Sequence, residues 1–119
     1  MTSKIHRLLI YQFTISDSCA YGKNERFFVK FHNSAKFAID IKMYGDTYNV
    51  ISVKSAVAPG VEYAHEALFK DKFFFTKSDT NDRLNASANG IKSTVFEGCL
   101  FKAEQGRLIT VYISEGTTQ

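Results

Sequence analysis

The stretch Phe37-Ala38-Ile39-Asp40-Ile41-Lys42-Met43 alternates large apolar side chains with small or polar ones without a break. Successive side chains of an extended chain point to opposite faces, so Phe37, Ile39, Ile41 and Met43 share one face while Ala38, Asp40 and Lys42 share the other. A helix would need apolar residues three and four apart, and would scatter these four around its circumference. The stretch therefore specifies a half-buried β-strand whose apolar face is committed to a core.

The same period of two extends in both directions. Upstream, Phe27, Val29 and Phe31 alternate with Phe28, Lys30 and His32, and Asn33-Ser34 supplies a turn before the deciding strand. Earlier still, Leu9, Tyr11, Phe13 and Ile15 share a face of Leu8 to Ile15, and a small and polar stretch holding Gly22 separates the two strands. Downstream, Gly45-Asp46 punctuates, Thr47 to Val53 is rich in β-formers, and Pro59-Gly60 combines a fixed φ with a permissive residue, as a tight turn requires. Val61 and Tyr63 begin another extended stretch, and Lys72 to Thr76 carries Phe73-Phe74-Phe75, which a sandwich core can absorb. Ser78 to Gly90 reads as a polar loop, Thr94 to Phe101 as a short β segment, and Ile109, Val111 and Ile113 as a closing strand. Short strands at regular spacing, with no helical stretch to cross between parallel neighbours, predict an antiparallel sandwich or barrel.

A chain of 119 residues fits one domain, and 45% hydrophobic residues with eleven Phe and six Tyr can fill one core. The expectation is a single domain over 1–119. Net charge is +3, from fifteen basic and twelve acidic residues scattered along the chain, too mild for a polybasic nucleic-acid or membrane surface. No apolar run approaches the roughly 18 residues of a membrane span, and the first residues lead into an alternating pattern instead of a signal-peptide core. The chain is accordingly expected in the cytoplasm. Cys19 and Cys99 could pair in a secreted chain, but the reducing cytosol leads us to expect two half-buried free thiols. By the same logic the sequon Asn85-Ala86-Ser87 carries meaning only in an exported protein.

Chemistry has little foothold. His6, His32 and His65 stand at unrelated spacings with no paired His or Cys to suggest a metal site, and neither a phosphate-cradling glycine loop nor a hydrolase nucleophile elbow is present. The sequence therefore predicts no catalytic residue, no cofactor and no metal. Phe73 to Phe75 flanked by Lys70, Lys72 and Lys77 could serve as a base-stacking platform, but alternate residues of any strand must face inward and Phe commonly fills them. Core packing is the preferred reading, and no nucleic-acid partner is expected. What remains is recognition of proteins through surfaces and strand edges.

The run Phe28-Val29-Lys30-Phe31-His32-Asn33-Ser34, then Phe37-Ala38-Ile39-Asp40-Ile41-Lys42, then Tyr48-Asn49-Val50 and Val57-Ala58-Pro59-Gly60, resembles the major sperm protein (MSP) domain family in order and spacing. Lys70-Asp71-Lys72-Phe73-Phe74-Phe75 resembles that family's lysine-led late strand, and Phe101-Lys102-Ala103 through Leu108-Ile109-Thr110-Val111 resembles the ending of small nematode sperm-specific members. The resemblance spans about Leu8 to Ser114. Ser52 and Ser55 stand where the family usually has a proline and a glycine, and the proline-rich start of the filament-forming members is absent. A looser likeness, to the von Hippel-Lindau β domain, rests on the Asn-led turn, the Pro-Gly turn and the late aromatic strand.

The MSP resemblance implies a seven-stranded, immunoglobulin-like antiparallel sandwich. It also implies an accessory or filament-associated role in the MSP-based cytoskeleton of amoeboid sperm, with the chain binding itself or MSP filaments; a homodimer is compatible with this. One branch of the family, the VAP-type adaptors, grips short acidic peptides by basic residues beside a small polar groove. Lys42 and Lys72 match two of those basic positions, whereas Met43 and Tyr44 replace two threonines and would make the groove bulkier. The candidate partner-binding residues are thus Lys42, Tyr44, Lys72 and Phe74.

Overall fold

Alternating burial along the computed structural model, which describes residues 25–116, builds the fold directly. β1 (Arg26–Asn33) buries Phe27, Val29 and Phe31 completely and turns Phe28, Lys30 and His32 outward. β2 (Ile39–Tyr44) is the deciding strand, with Ile39 and Ile41 at 0% exposure. The remaining strands are β3 (Val50–Val57), β4 (Glu62–Leu68), β5 (Lys72–Lys77), β6 (Asn85–Ala88), β7 (Ile91–Ser93), β8 (Val95–Glu97) and β9 (Leu108–Ser114). No helix occurs among the described residues.

Two sheets form a β-sandwich, one of five strands in the order β4-β1-β9-β6-β7 and one of four in the order β3-β2-β5-β8. Their inner faces meet in an aromatic core. Phe31 from the larger sheet lies 5.3 Å from each of Phe73 and Phe75 and edge-on at 5.9 Å to Phe96, all three from the smaller sheet. Phe27 packs on Phe69, and Phe96 on Phe101, at 4.9 Å. Each ring so enclosed contributes on the order of 1.5–3 kcal/mol from burial, before the preference of tilted aromatic pairs is added.

Turn chemistry sets the registers. Val61 N–H donates to Ala58 O at 3.1 Å across Pro59-Gly60, with Gly60 at φ 79°, the arrangement of a type II turn. After β1 the Asn33 side chain takes over the local backbone, accepting from Ala35 N–H at 2.8 Å and donating to Phe37 O and Val57 O at 2.9 Å. β3 joins β2 through an irregular register, and Asp40 Oδ1 accepts the Ala56 N–H at 2.9 Å where the ladder slips.

The structure departs from the sequence reading in several places. Nine strands occur among the described residues instead of seven, because the expected loop over 78–90 contains β6 and a further short strand, β7, follows it. Ala86 and Ala88 point inward there, and alanine is a poor β-former that propensity does not flag. The sheets are not wholly antiparallel, since β1 runs parallel to β9 from Phe28 opposite Leu108 to Asn33 opposite Ile113. Cys99 is disulfide-bonded and is not a free thiol. That expectation rested on an assumed compartment, and nothing in the local pattern could test it. Cys19, His6 and the strand expected over Leu8 to Ile15 lie outside the described residues.

Candidate functional site

Strand alternation carries the candidate residues to one surface, the outer face of the smaller sheet. Ile39, Ile41, Phe73 and Phe75 take the inner face, so Asp40, Lys42 and Tyr44 of β2 and Lys72, Phe74 and Thr76 of β5 face out. The β2–β5 register sets Lys42 directly across from Phe74. All four sequence-predicted residues thus lie within two adjacent strands.

Phe74 is nonetheless roofed. The Tyr44 ring stacks on it at 4.7 Å with 28° between planes, and the Arg83 guanidinium lies 4.3 Å from its centroid. Arg83 Nη1 also donates to Tyr44 Oη at 3.3 Å. Phe74 keeps only 6% exposure, so it supports Tyr44 and Arg83 and offers no ring to a ligand. With Phe73 and Phe75 at 0%, the aromatic run presents no stacking platform for bases.

The charges on this face have unequal partners. Lys72 Nζ forms a long ion pair with Glu97 Oε2, at 4.0 Å. Lys42 Nζ donates to the neutral Asn81 Oδ1 at 3.2 Å, and Arg83 rests on a ring and a phenol. Neither Lys42 nor Arg83 has a carboxylate within 4.0 Å among the described residues. Asp40, two residues from Lys42 on the same face, is occupied instead by Ala56 N–H and by the Ser78 hydroxyl at 2.6 Å. Asn81 and Arg83 lie in the stretch the sequence presents as a polar loop. The only sequence signal for Arg83 was a cation next to an apolar residue, Leu84, which enters the core at 2% exposure.

At one end of this face the β2–β3 turn opens a shallow cleft of about 200 Å³, lined by Tyr44, Asp46, Tyr48, Lys70, Asp71 and Lys72. Tyr48 is 78% exposed, and Val50 and Ile51, which follow it on β3, are exposed too. β3 is the outermost strand of its sheet among the described residues, so its far edge carries backbone N–H and C=O groups with no ladder partner there. A larger hollow of about 450 Å³ lies on the other sheet, between the β6–β7 turn and the segment leading into β9, away from the candidate residues.

Among the described residues neither the histidines nor the acids converge. His32 Nδ1 lies 3.1 Å from Glu62 Oε2 on the outer face of the larger sheet, and His65 packs edge-on against Phe73 at 5.6 Å. No group of three or more His, Cys, Asp or Glu side chains that could hold a metal occurs among the described residues. Nor do those residues contain a helix long and apolar enough to cross a membrane.

Fold and site together define a β-sandwich with a cation-bearing, aromatic-roofed outer face beside a strand edge that is open among the described residues. No family model matches the chain, and no curated protein matches it in sequence.

Proposed function

We propose that the domain is a non-catalytic protein-recognition module that takes an extended acidic segment along the outer face of its smaller sheet and the β3 edge, which no described strand covers. The observation that carries this reading is that, among the described residues, Lys42 and Arg83 pair with neutral groups only, next to exposed Tyr48 and a β3 edge that no described strand covers. A cation already held in place by a neutral partner loses little further side-chain entropy when a carboxylate arrives, and keeps its full charge until then. The strand edge supplies main-chain hydrogen bonds, while Tyr48, Val50 and Ile51 offer apolar contact.

Calorimetry with an acidic, aromatic-bearing peptide tests the reading. Lys42→Glu with Lys72→Glu should weaken binding at least tenfold, about 1.4 kcal/mol. Equal binding by the doubly reversed protein, or no heat with the unaltered one, would sink it. Arg83→Met separates charge from packing, because the methionine still covers Phe74 while the charge is gone.

The second reading, an accessory component of an MSP-type sperm cytoskeleton in the cytoplasm, is supported by the residue order resembling MSP domains and by the two-sheet sandwich. Its immunoglobulin-like, seven-stranded form has to accommodate nine described strands and a parallel β1–β9 pair. Co-sedimentation with the filament-forming sperm protein tests it, and a chain left wholly in the supernatant would count against it.

A further inference from the structure

β6 carries the sequon Asn85-Ala86-Ser87, and three features of its setting bear on it. Ala86 at 0% and Ala88 at 6% exposure face the core, so Asn85 and Ser87, both partly exposed, share the outer face of the larger sheet. Opposite Asn85 stands the small Ser114, and near it Gly116, where an added Cβ would lie 3.6 Å from Asn85 Nδ2. Independently, Cys99 is disulfide-bonded, and disulfides persist in oxidising compartments, where the transferases that read such sequons also work.

We propose that Asn85 is an N-glycan acceptor on a chain that matures in an oxidising, secretory environment. In the transfer, Asn85 Nδ2 bonds to the anomeric carbon of an oligosaccharide carried on a lipid pyrophosphate. The bond from that carbon to the pyrophosphate oxygen breaks, the lipid pyrophosphate leaves with the electron pair, and the amide loses one proton to the transferase. Asn85 and Ser87 face out together, so a sugar on Asn85 projects from the sheet.

The glycan would stand beside Tyr112, which pairs with Ser87 and is the diagonal neighbour of Asn85. Tyr112 shares its face with Leu108 and Phe28, and all three are exposed apolar residues, at 48%, 56% and 46%. A bulky hydrophilic group there shields apolar surface that would otherwise favour association. The proposed peptide site lies on the opposite sheet and stays uncovered, so each proposal can fail without the other.

The test expresses the full chain behind a cleavable secretion leader in a eukaryotic host and treats lysate and medium with PNGase F. A single mobility step that the enzyme removes is expected, absent from Asn85→Gln and Ser87→Ala and retained in Ser87→Thr, which keeps the acceptor pattern. After PNGase F in heavy-oxygen water, fragment ions of the tryptic peptide covering 84–92 should place the label on Asn85 and not on Asn89, whose Gly90 neighbour promotes spontaneous deamidation. In chain from the native source, Cys99 should resist alkylation until a reductant is added. A wild-type chain with no PNGase F step, a step that survives in Asn85→Gln, or native Cys99 that alkylates without reductant overturns the proposal.

Discussion

Replacing Asn33 by alanine removes three hydrogen bonds from a side chain that is 1% exposed. Its amide donates to Phe37 O and Val57 O at 2.9 Å, and its carbonyl accepts from Ala35 N–H at 2.8 Å, so it ties the end of β1 to the β1–β2 connection and to the end of β3. The Asn33 backbone stays engaged in the variant, donating to Val61 O and accepting from Gly60 N–H, so the loss belongs to the side chain alone. Each such bond contributes about 0.5–1.5 kcal/mol net, and each buried group left without a partner costs about 1–3 kcal/mol. Two carbonyls and one N–H are stranded together, which gives a loss of about 3–5 kcal/mol against the roughly 5–15 kcal/mol typical of a whole domain. Urea unfolding followed by tyrosine fluorescence reads this as a midpoint lowered by at least about 1 M at unchanged slope. A loss under about 1 kcal/mol would refute the reasoning, because it would mean that the stranded groups find other partners at little cost.

Asn33→Asp refines the same experiment. The aspartate keeps the acceptor for Ala35 N–H but sets a second oxygen against Phe37 O and Val57 O. Burial and two facing carbonyls disfavour the charged form, so the introduced carboxyl titrates above its unfolded value of about 4. A group with a raised folded value binds its proton more tightly in the native state, so the stability it supports is present at low pH and is lost as pH rises through that value. The deficit relative to wild type should therefore be smaller at about pH 3 than at about pH 7. A deficit independent of pH would contradict the assigned geometry.

Other perturbations probe separate parts of the fold. Phe31→Ala empties the centre of the aromatic cluster and should cost about 3–5 kcal/mol by denaturant titration, since Phe31 touches Phe73, Phe75 and Phe96 at once. Gly98→Ala should cost about 1–3 kcal/mol, because the new Cβ would sit 2.8 Å from the Phe27 ring and 3.0 Å from that of Phe69. Thr76→Val should raise the melting temperature, the reverse of the usual outcome: Thr76 Oγ1 is buried with no hydrogen-bond partner among the described residues, and a methyl in its place removes about 1 kcal/mol of desolvation penalty. Cys99→Ser should lower stability by about 2–4 kcal/mol under non-reducing conditions and leave the reduced protein little changed.

Inner faces were legible in the sequence because period two records them directly. Ile39 and Ile41, Phe27, Val29 and Phe31, and Val111 with Ile113 all enter the core where alternation puts them. β6 was invisible because Ala86 and Ala88 fill inward positions with almost no hydrophobic contrast to their neighbours. The parallel pairing of β1 with β9 was equally hidden, since alternation says which way a side chain faces and nothing about which strand lies beside it. The candidate face shows the same division. Lys42 and Phe74 become neighbours only through β2–β5 pairing, which skips the two intervening strands, and Arg83 reaches them from a segment with no strand signal of its own.

Charge distribution decides which outer face an acidic segment would meet. On the larger sheet, β4 lies beside β1 in a register that hands both lysine and arginine cations of β1 an acid: Arg26 pairs with Glu66 and Lys30 with Glu62, whose other oxygen lies 3.1 Å from His32 Nδ1. Pairs this exposed add at most about 1 kcal/mol each to stability, so their main effect is on the surface field, which they cancel locally. On the smaller sheet β2 has β3 and β5 beside it, and among the described residues the only ion pair of that face joins Lys72 to Glu97 at 4.0 Å. Asp40 is taken up by Ala56 and Ser78, while Lys42 and Arg83 lean on Asn81, Phe74 and Tyr44. A carboxylate approaching β1 must displace an existing partner, whereas one approaching Lys42 or Arg83 displaces only water and a neutral contact. The proposed choice of β2 and β5 over β1 thus rests on strand order, which decides whether a cation is set next to an acid.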